Sequence, residues 1–245
     1  MRSDTVSLRE LWKEAFGDTD EFLDLFFSTG FSPDRCHSII LDGETAAAAY
    51  WLPCTCQGRP FAYIYAVATA QKHRGKGLCR RLMADIHETL KNQGYAGAIL
   101  VPQDEGLRRM YAGFGYRDGA SIREFTAVAS PAPVPLRQIN GIEYAEARRS
   151  LLPPDAVLQE GSSLAFLETQ IRFYTGAGFV LAATLKNGNL FAPELLGQAD
   201  PGGILKALDA KDGTFRTIGG SEPFAMFLPL MGNCPVPGHF AFAFD

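Results

Sequence analysis

The sequence predicts an α+β fold: a mixed, mostly antiparallel central sheet flanked by helices, followed by a second, smaller α+β domain. Three observations predict it. Apolar residues recur at helical spacing in separate stretches, three strand-like runs are joined by glycine-containing turns, and a proline-rich stretch interrupts the chain near its middle.

Leu8, Leu11, Trp12 and Phe16 mark a helix over Ser7 to Phe16. A second runs from Asp20, a suitable N-cap, to Ser28 before Gly30 stops it. Cys36 to Leu41, Thr45 to Cys56 and Phe61 to Ala70 read as strands of an antiparallel meander, turning at Asp42-Gly43 and Gln57-Gly58-Arg59-Pro60. Leu78, Leu82, Met83, Ile86 and Leu90 share one face of a helix over Leu78 to Asn92, which Gly94 ends. Ala96 to Val101 follows as a short apolar strand, and Leu107, Met110, Tyr111 and Phe114 mark a helix that Gly115 breaks. The order strand, helix, strand, helix implies a parallel crossover within the mixed sheet.

Ser130-Pro131-Ala132-Pro133-Val134-Pro135 holds three prolines in six residues, which favour extended backbone and lack donors for a ladder. It divides the chain into a domain over 1–129, a linker over 130–136 and a smaller domain over 137–245. In the latter the pattern predicts a helix over Ser162 to Tyr174, a hairpin through Lys186-Asn187-Gly188-Asn189 and a helix over Gly202 to Leu208. Strands are expected near Phe215 to Ile218, Phe224 to Leu228 and Phe240 to Phe244.

Composition narrows the function. With 245 residues, 47% hydrophobic and 20% charged, the chain is long enough to bury a sizeable core. A formal charge of −4 and a pI of about 5.6 oppose a general attraction to nucleic acid or anionic lipid. No stretch reaches the roughly 18 apolar residues of a membrane span, so a cytoplasmic protein with a small-molecule or peptide partner is expected. The five cysteines read as reduced thiols. Cys54 and Cys56 share a strand face without a second Cys/His pair at ligand spacing, so no metal is expected.

The chemistry concentrates after the third strand. Val67-Ala68-Thr69-Ala70 enters Gln71-Lys72-His73-Arg74-Gly75-Lys76-Gly77, a basic glycine-rich turn that opens the helix at Leu78-Cys79-Arg80-Arg81. Amides of such a turn and of the helix start converge on one spot, the dipole favours negative charge there, and glycine lets a phosphate approach. The patterns of nucleoside-triphosphate and dinucleotide loops are absent, as is the nucleophile elbow of serine hydrolases.

Arg74-Gly75-Lys76-Gly77-Leu78-Cys79 resembles the R/Q-x-x-G-x-G/A loop of the GNAT superfamily of N-acetyltransferases, with Cys79 in place of the small last residue. Asp104 to Tyr116 resembles that family's N-x-x-A-x-x-x-Y-x-x-x-G-F segment, with Tyr111 at the position of the general acid. Gly75 to Leu78, His87 and the run Tyr111 to Tyr116 are similar to a tandem-GNAT subgroup, the enhanced-intracellular-survival acetyltransferases, in which a second, degenerate GNAT-like domain follows the first. The likeness covers Leu11 to Thr126.

The resemblance implies acetyl-CoA as co-substrate and acetyl transfer to a primary amine of a small-molecule or peptide acceptor. Arg74, Gly75, Lys76, Gly77, Leu78 and Cys79 would hold the pyrophosphate, and Val67, Ala68 and Thr69 the pantetheine and the oxyanion. Tyr111 would protonate the thiolate. The deprotonating base is an ordered water or, as in the subgroup, the C-terminal carboxylate, here on Asp245. A non-catalytic acyl-CoA-binding module is the alternative, which retention of Tyr111 opposes.

Overall fold

The computed structural model describes residues 2–242, with side chains from residue 5 onward. It divides into two compact units, Met1–Arg117 with Phe227–Pro235, and Asp118–Met226 with Val236–Asp245. The fold class is the expected one: α+β throughout, with a mixed first sheet and a second sheet of its own. No helix among the described residues is long and apolar enough to cross a membrane.

The first unit opens with α1 (Arg2–Phe16) and α2 (Asp20–Leu25). Thr19, not Asp20, is the N-cap of α2, its hydroxyl accepting from Phe22 N at 3.3 Å. The helix passes at Leu25 into a π-helical turn, Phe26–Gly30, where an uninterrupted helix was expected. The meander follows as β1 (Cys36–Leu41), β2 (Glu44–Cys56) and β3 (Arg59–Thr69). Both hairpins turn on two residues of positive φ, Asp42-Gly43 and Gln57-Gly58, so Arg59 and Pro60 belong to β3 rather than to the turn.

Next come α3 (Leu78–Asn92), β4 (Gly97–Leu100), which pairs parallel with β3, α4 (Glu105–Ala112) and the two-residue β5 (Arg117–Asp118). Leu82, Met83, Ile86 and Leu90 of α3 are buried, as the periodicity requires.

The second unit contains β6 (Ser121–Val128), β7 (Leu136–Ile139), α5 (Gly141–Leu151), β8 (Val157–Gln159) and α6 (Ser162–Gln170). It continues with β9 (Arg172–Gly176), β10 (Phe179–Lys186), β11 (Asn189–Gly197), α7 (Pro201–Ala207) and β12 (Asp212–Pro223). The helix expected to reach Tyr174 stops at Gln170, because Arg172 to Gly176 pairs with β10 and buries Phe173. The meander β9-β10-β11 and the crossover through α7 to a parallel β12 repeat the plan of β1-β2-β3, α3 and β4.

The first sheet runs in the order β1-β2-β3-β4-β13-β5, where β13 (Met226–Pro229) comes from late in the chain; the second runs β6-β12-β11-β10-β9-β7. Each repeat is thus completed next to its parallel strand by a segment that lies after the other repeat's crossover or before its own. The domain limits expected at 1–129, 130–136 and 137–245 change accordingly. β6 belongs to the second sheet, 227–235 returns to the first unit, and the proline-rich stretch connects β6 and β7 at opposite edges of one sheet instead of separating domains. The last expected strand is not formed over Phe240–Phe242, which are buried without a ladder beyond the bridge at His239; the rest of it lies outside the described residues.

Candidate functional site

The site begins at an irregularity in β3. Its register with β2 runs from Cys56–Arg59 to Tyr50–Tyr65, then resumes at Ala48–Ala68, so one residue of β2, Ala49, faces two of β3, Ala66 and Val67. This is a β-bulge, and Ala66 within it has φ of 50°, rare for a residue with a Cβ. On the other edge, the parallel register with β4 covers only Phe61–Gly97, Ala62–Ala98 and Tyr63–Ile99. Ala70 N donates to Ala46 O of β2, and successive residues alternate edges, so Thr69 turns its backbone groups away from β2, whereas Val67 lies within the bulge. Arg74 Nε occupies one of these groups, Thr69 O, at 3.1 Å.

The turn expected to bind an anion has the needed conformation. Gly75 and Gly77 have φ of 74° and 78°, and a Cβ on either would meet nothing within 4 Å. Gly77 is the N-cap of α3, and among the described residues no side chain caps that helix. Its first-turn N–H groups have no intrahelical acceptor and point toward the opening at the positive end of the dipole. Leu78 and Cys79 supply two of them, and burial raises the Cys79 thiol, so it stays neutral there.

The basic side chains divide. Lys72 pairs with Glu44, and Gln71 N donates to Glu14 Oε1 at 2.5 Å, which ties the turn to α1. Arg80 donates to Gly113 O at 3.2 Å and lies 4.7 Å over Phe114. It thereby fastens the end of α4 to the start of α3. Lys76 stands 3.4 Å from His73 Nδ1 on the exposed turn.

Tyr111 lies on α4, whose start is capped by Asp104 Oδ1 accepting from Leu107 N at 2.8 Å. It is 6% exposed, with rings of Phe114 and Tyr116 edge-on at 6.0 and 5.8 Å. Burial pushes its phenol well above the usual tyrosine range, and the neighbouring Cys79 adds to this. Such a group holds its proton across physiological pH and can donate it only to a stronger base. Behind it, Tyr116 Oη and His87 Nε2 are 3.0 Å apart, and burial first, then Lys91, pushes the imidazole down to about 4.

Residues 2–118 match the family model of the acetyltransferase (GNAT) domain. This stretch of the chain belongs to the GNAT superfamily. Over 67 residues the chain is 34% identical to N-acetyltransferase Eis of Mycobacterium tuberculosis (strain ATCC 25177 / H37Ra), a match that covers 27% of this chain and 16% of that protein. The match therefore spans a small part of that relative's length. The crystal structure of a GCN5-related N-acetyltransferase from Kribbella flavida aligns with 92% of this chain and 70% of its own at 17% identity, with a TM-score of 0.70. Eis1 from Mycobacterium abscessus aligns with 94% of this chain and 72% of its own at 11% identity, with a TM-score of 0.66. At these identities the likeness is one of fold, and the aligned residues include both units.

In this GNAT domain the expected residues fall at one end of the first sheet. Val67 lies in the bulge and Ala68 and Thr69 follow it, Arg74 to Cys79 form the turn and helix start, and Arg80 links that start to the helix bearing Tyr111. Asp245 lies outside the described residues. The bulge at Ala66 and the Arg80–Gly113 bond have no local signature in the sequence. His87 had one, a polar ring beside Met83, Ile86 and Leu90 on an otherwise apolar face.

Proposed function

We propose that the chain is an acetyl-CoA-dependent N-acetyltransferase. The observation that carries this reading is one edge that offers three things together: a strand end past a bulge and beyond its pairing with β4, an uncapped helix start behind two left-handed glycines, and a buried protonated tyrosine. Acetyl-CoA supplies the activated acetyl group. Amides of Gly75 to Cys79 hold its pyrophosphate, Val67 and Thr69 hold its pantetheine by main-chain pairing, and an N–H of Val67, Ala68 or Thr69 faces the carbonyl oxygen as it gains charge.

A neutral primary amine attacks the thioester carbon, a C–N bond forms and the C–S bond breaks. Tyr111 gives its proton to the departing sulfur, and the amine's surplus proton leaves to a water or to the carboxylate of Asp245. Replacing a positioned proton donor of this kind costs about 10²- to 10⁴-fold in rate. Tyr111→Phe is therefore expected to lower kcat by that factor while calorimetric affinity for acetyl-CoA is unchanged. Acetyl-CoA binding without thiol release on any amine would support an acyl-CoA-binding module instead, and absence of binding would remove the reading.

A further inference from the structure

A proton donor acts only from one position, and the ring of Tyr111 is held between two others. Phe114 lies edge-on at 6.0 Å and Tyr116 edge-on at 5.8 Å. The backbone brings both there. Helix α4 ends in a turn in which Phe114 N and Tyr116 N each donate to Tyr111 O, at 2.9 and 3.1 Å, and Gly115 takes φ of 96° to close it. The turn alone leaves each ring free to rotate about its own side-chain bonds.

Both rings are fixed from α3. The Arg80 guanidinium lies 4.7 Å over the Phe114 ring and donates to Gly113 O at 3.2 Å. His87 Nε2 is 3.0 Å from Tyr116 Oη, and the two rings are 5.5 Å apart. Arg80 and His87 are about two turns apart on α3, so they stand on one face of it. The same helix starts behind Gly77, at the proposed pyrophosphate site. One rigid element thus joins the anion site to both walls of the tyrosine.

The pairing of Tyr116 with His87 adds something that packing does not require. Tyr116 stands where the motif resembled by Asp104 to Tyr116 ends in phenylalanine, so a plain ring would fill the position. Tyr116 is buried, and the hydroxyl it adds would destabilise the fold without a partner. Burial first, then Tyr111, raises this phenol well above its usual range, while burial first, then Lys91, lowers the imidazole to about 4. Both groups are therefore neutral near pH 7. Their hydrogen bond orients the Tyr116 ring and places no charge beside Tyr111, where one would shift its acidity.

We infer that His87 is a positioning residue for the general acid: through Tyr116 it fixes the ring of Tyr111, and with Arg80 it ties that ring to the helix that starts at the cofactor site. This rests on the acetyltransferase reading for its effect on turnover, but not for the ring geometry. The test uses the full chain. Thiol release from acetyl-CoA is measured with spermidine, kanamycin and a lysine peptide, and the fastest amine is used for kinetics. His87→Leu should lower kcat about tenfold and leave KM for acetyl-CoA unchanged. His87→Gln, which keeps a hydrogen-bonding group at the reach of Nε2, should recover most of the loss, and Tyr116→Phe, which removes only the hydroxyl, should reproduce it. In a Tyr111→Phe background, His87→Leu should change kcat by less than about twofold, because the group it positions is gone.

A second readout needs no turnover. With tyrosine carrying 13C at its ring Cε positions, the Tyr111 resonances, identified by their loss in Tyr111→Phe, should be two for a ring that flips slowly, and they should merge in His87→Leu. An unchanged kcat in His87→Leu, or the same loss repeated in the Tyr111→Phe background, would overturn the inference. If no amine turns over, the acetyltransferase reading is what fails, and the resonances decide the positioning by themselves. Merging in His87→Leu sustains it, and identical Tyr111 signals in the two proteins remove it.

Discussion

After β3 the first unit reaches its crossover helix through Gln71 to Gly77, whereas after β11 the second unit reaches α7 through Gln198 to Asp200. The first helix start is left without a cap and with open space at its glycines. The second is filled by its own chain. Asp200 Oδ1 accepts from Gly202 N at 3.0 Å, Pro201 removes a donor, and Ser130 N and Val134 N donate to Gly202 O and Gly203 O at 3.0 and 3.1 Å. A Cβ on Gly203 would stand 2.5 Å from Val134 Cγ1. The proline-rich stretch is a strap over the place where the second repeat would otherwise present an anion site.

Both meanders also bulge in the same sense, one residue against two. Ala48–Ala68 adjoins the shift in the first, and Ala182–Glu194 adjoins it in the second. Where the first unit has Ala68 and an open edge, the second has a fully buried Glu194. Its carboxylate accepts from Arg148 at 2.6 and 2.9 Å and from Tyr144 Oη at 2.6 Å. One backbone plan thus gives two outcomes, decided by whether the chain satisfies its own polar groups or leaves them for a ligand.

The largest effect is expected where the second unit is closed most tightly. Arg148→Met leaves the Glu194 carboxylate buried without its main partner and should cost about 3–5 kcal/mol in denaturant unfolding. A cost below about 1 kcal/mol would mean that Tyr144 and His239, whose Nε2 is 3.5 Å from Glu194 Oε1, are enough to hold the charge. Next in size is an attempt to close the first unit as the second is closed. Gly77→Asp puts a carboxylate at the N-cap of α3, in a left-handed conformation that Asp tolerates better than most residues. Acetyl-CoA affinity measured by calorimetry should fall about 30-fold, ~2 kcal/mol, while Gly77→Asn, without the charge, should lose less. Equal losses would assign the effect to backbone strain and not to the occupied anion site.

How much of this was legible follows from how local each feature is. The bounds of β1 and α3 coincide with the expected ones, since apolar periodicity and flanking glycines act within a few residues. The glycine turn was legible for the same reason, because only glycine takes φ near +75° without strain at Gly75 and Gly77. The partners of β6 and β13 were not, because Ser121 to Val128 has a strand pattern that names no sheet. Three prolines announced a stretch outside the ladders, as 130–135 is, but whether such a stretch links domains or crosses one sheet depends on α7 lying beneath it. At the site, Tyr111 was placed by its motif, while the bulge at Ala66, the bond from Arg80 to Gly113 and the pairing of His87 with Tyr116 are tertiary and had no pattern of their own.

The smallest effect separates the two devices that close the second unit. Asp200→Ala removes the cap of α7 and should lower stability by about 1 kcal/mol, read as a shift in thermal unfolding. It should confer no second acetyl-CoA site, because Ser130 and Val134 still bond to Gly202 and Gly203 and still occupy the space around them. A calorimetric stoichiometry that stays at its unmutated value therefore assigns the closure to the strap. A rise by one site per chain would assign it to the single carboxylate, and the two repeats would then differ in binding by one side chain and not by a rebuilt connection.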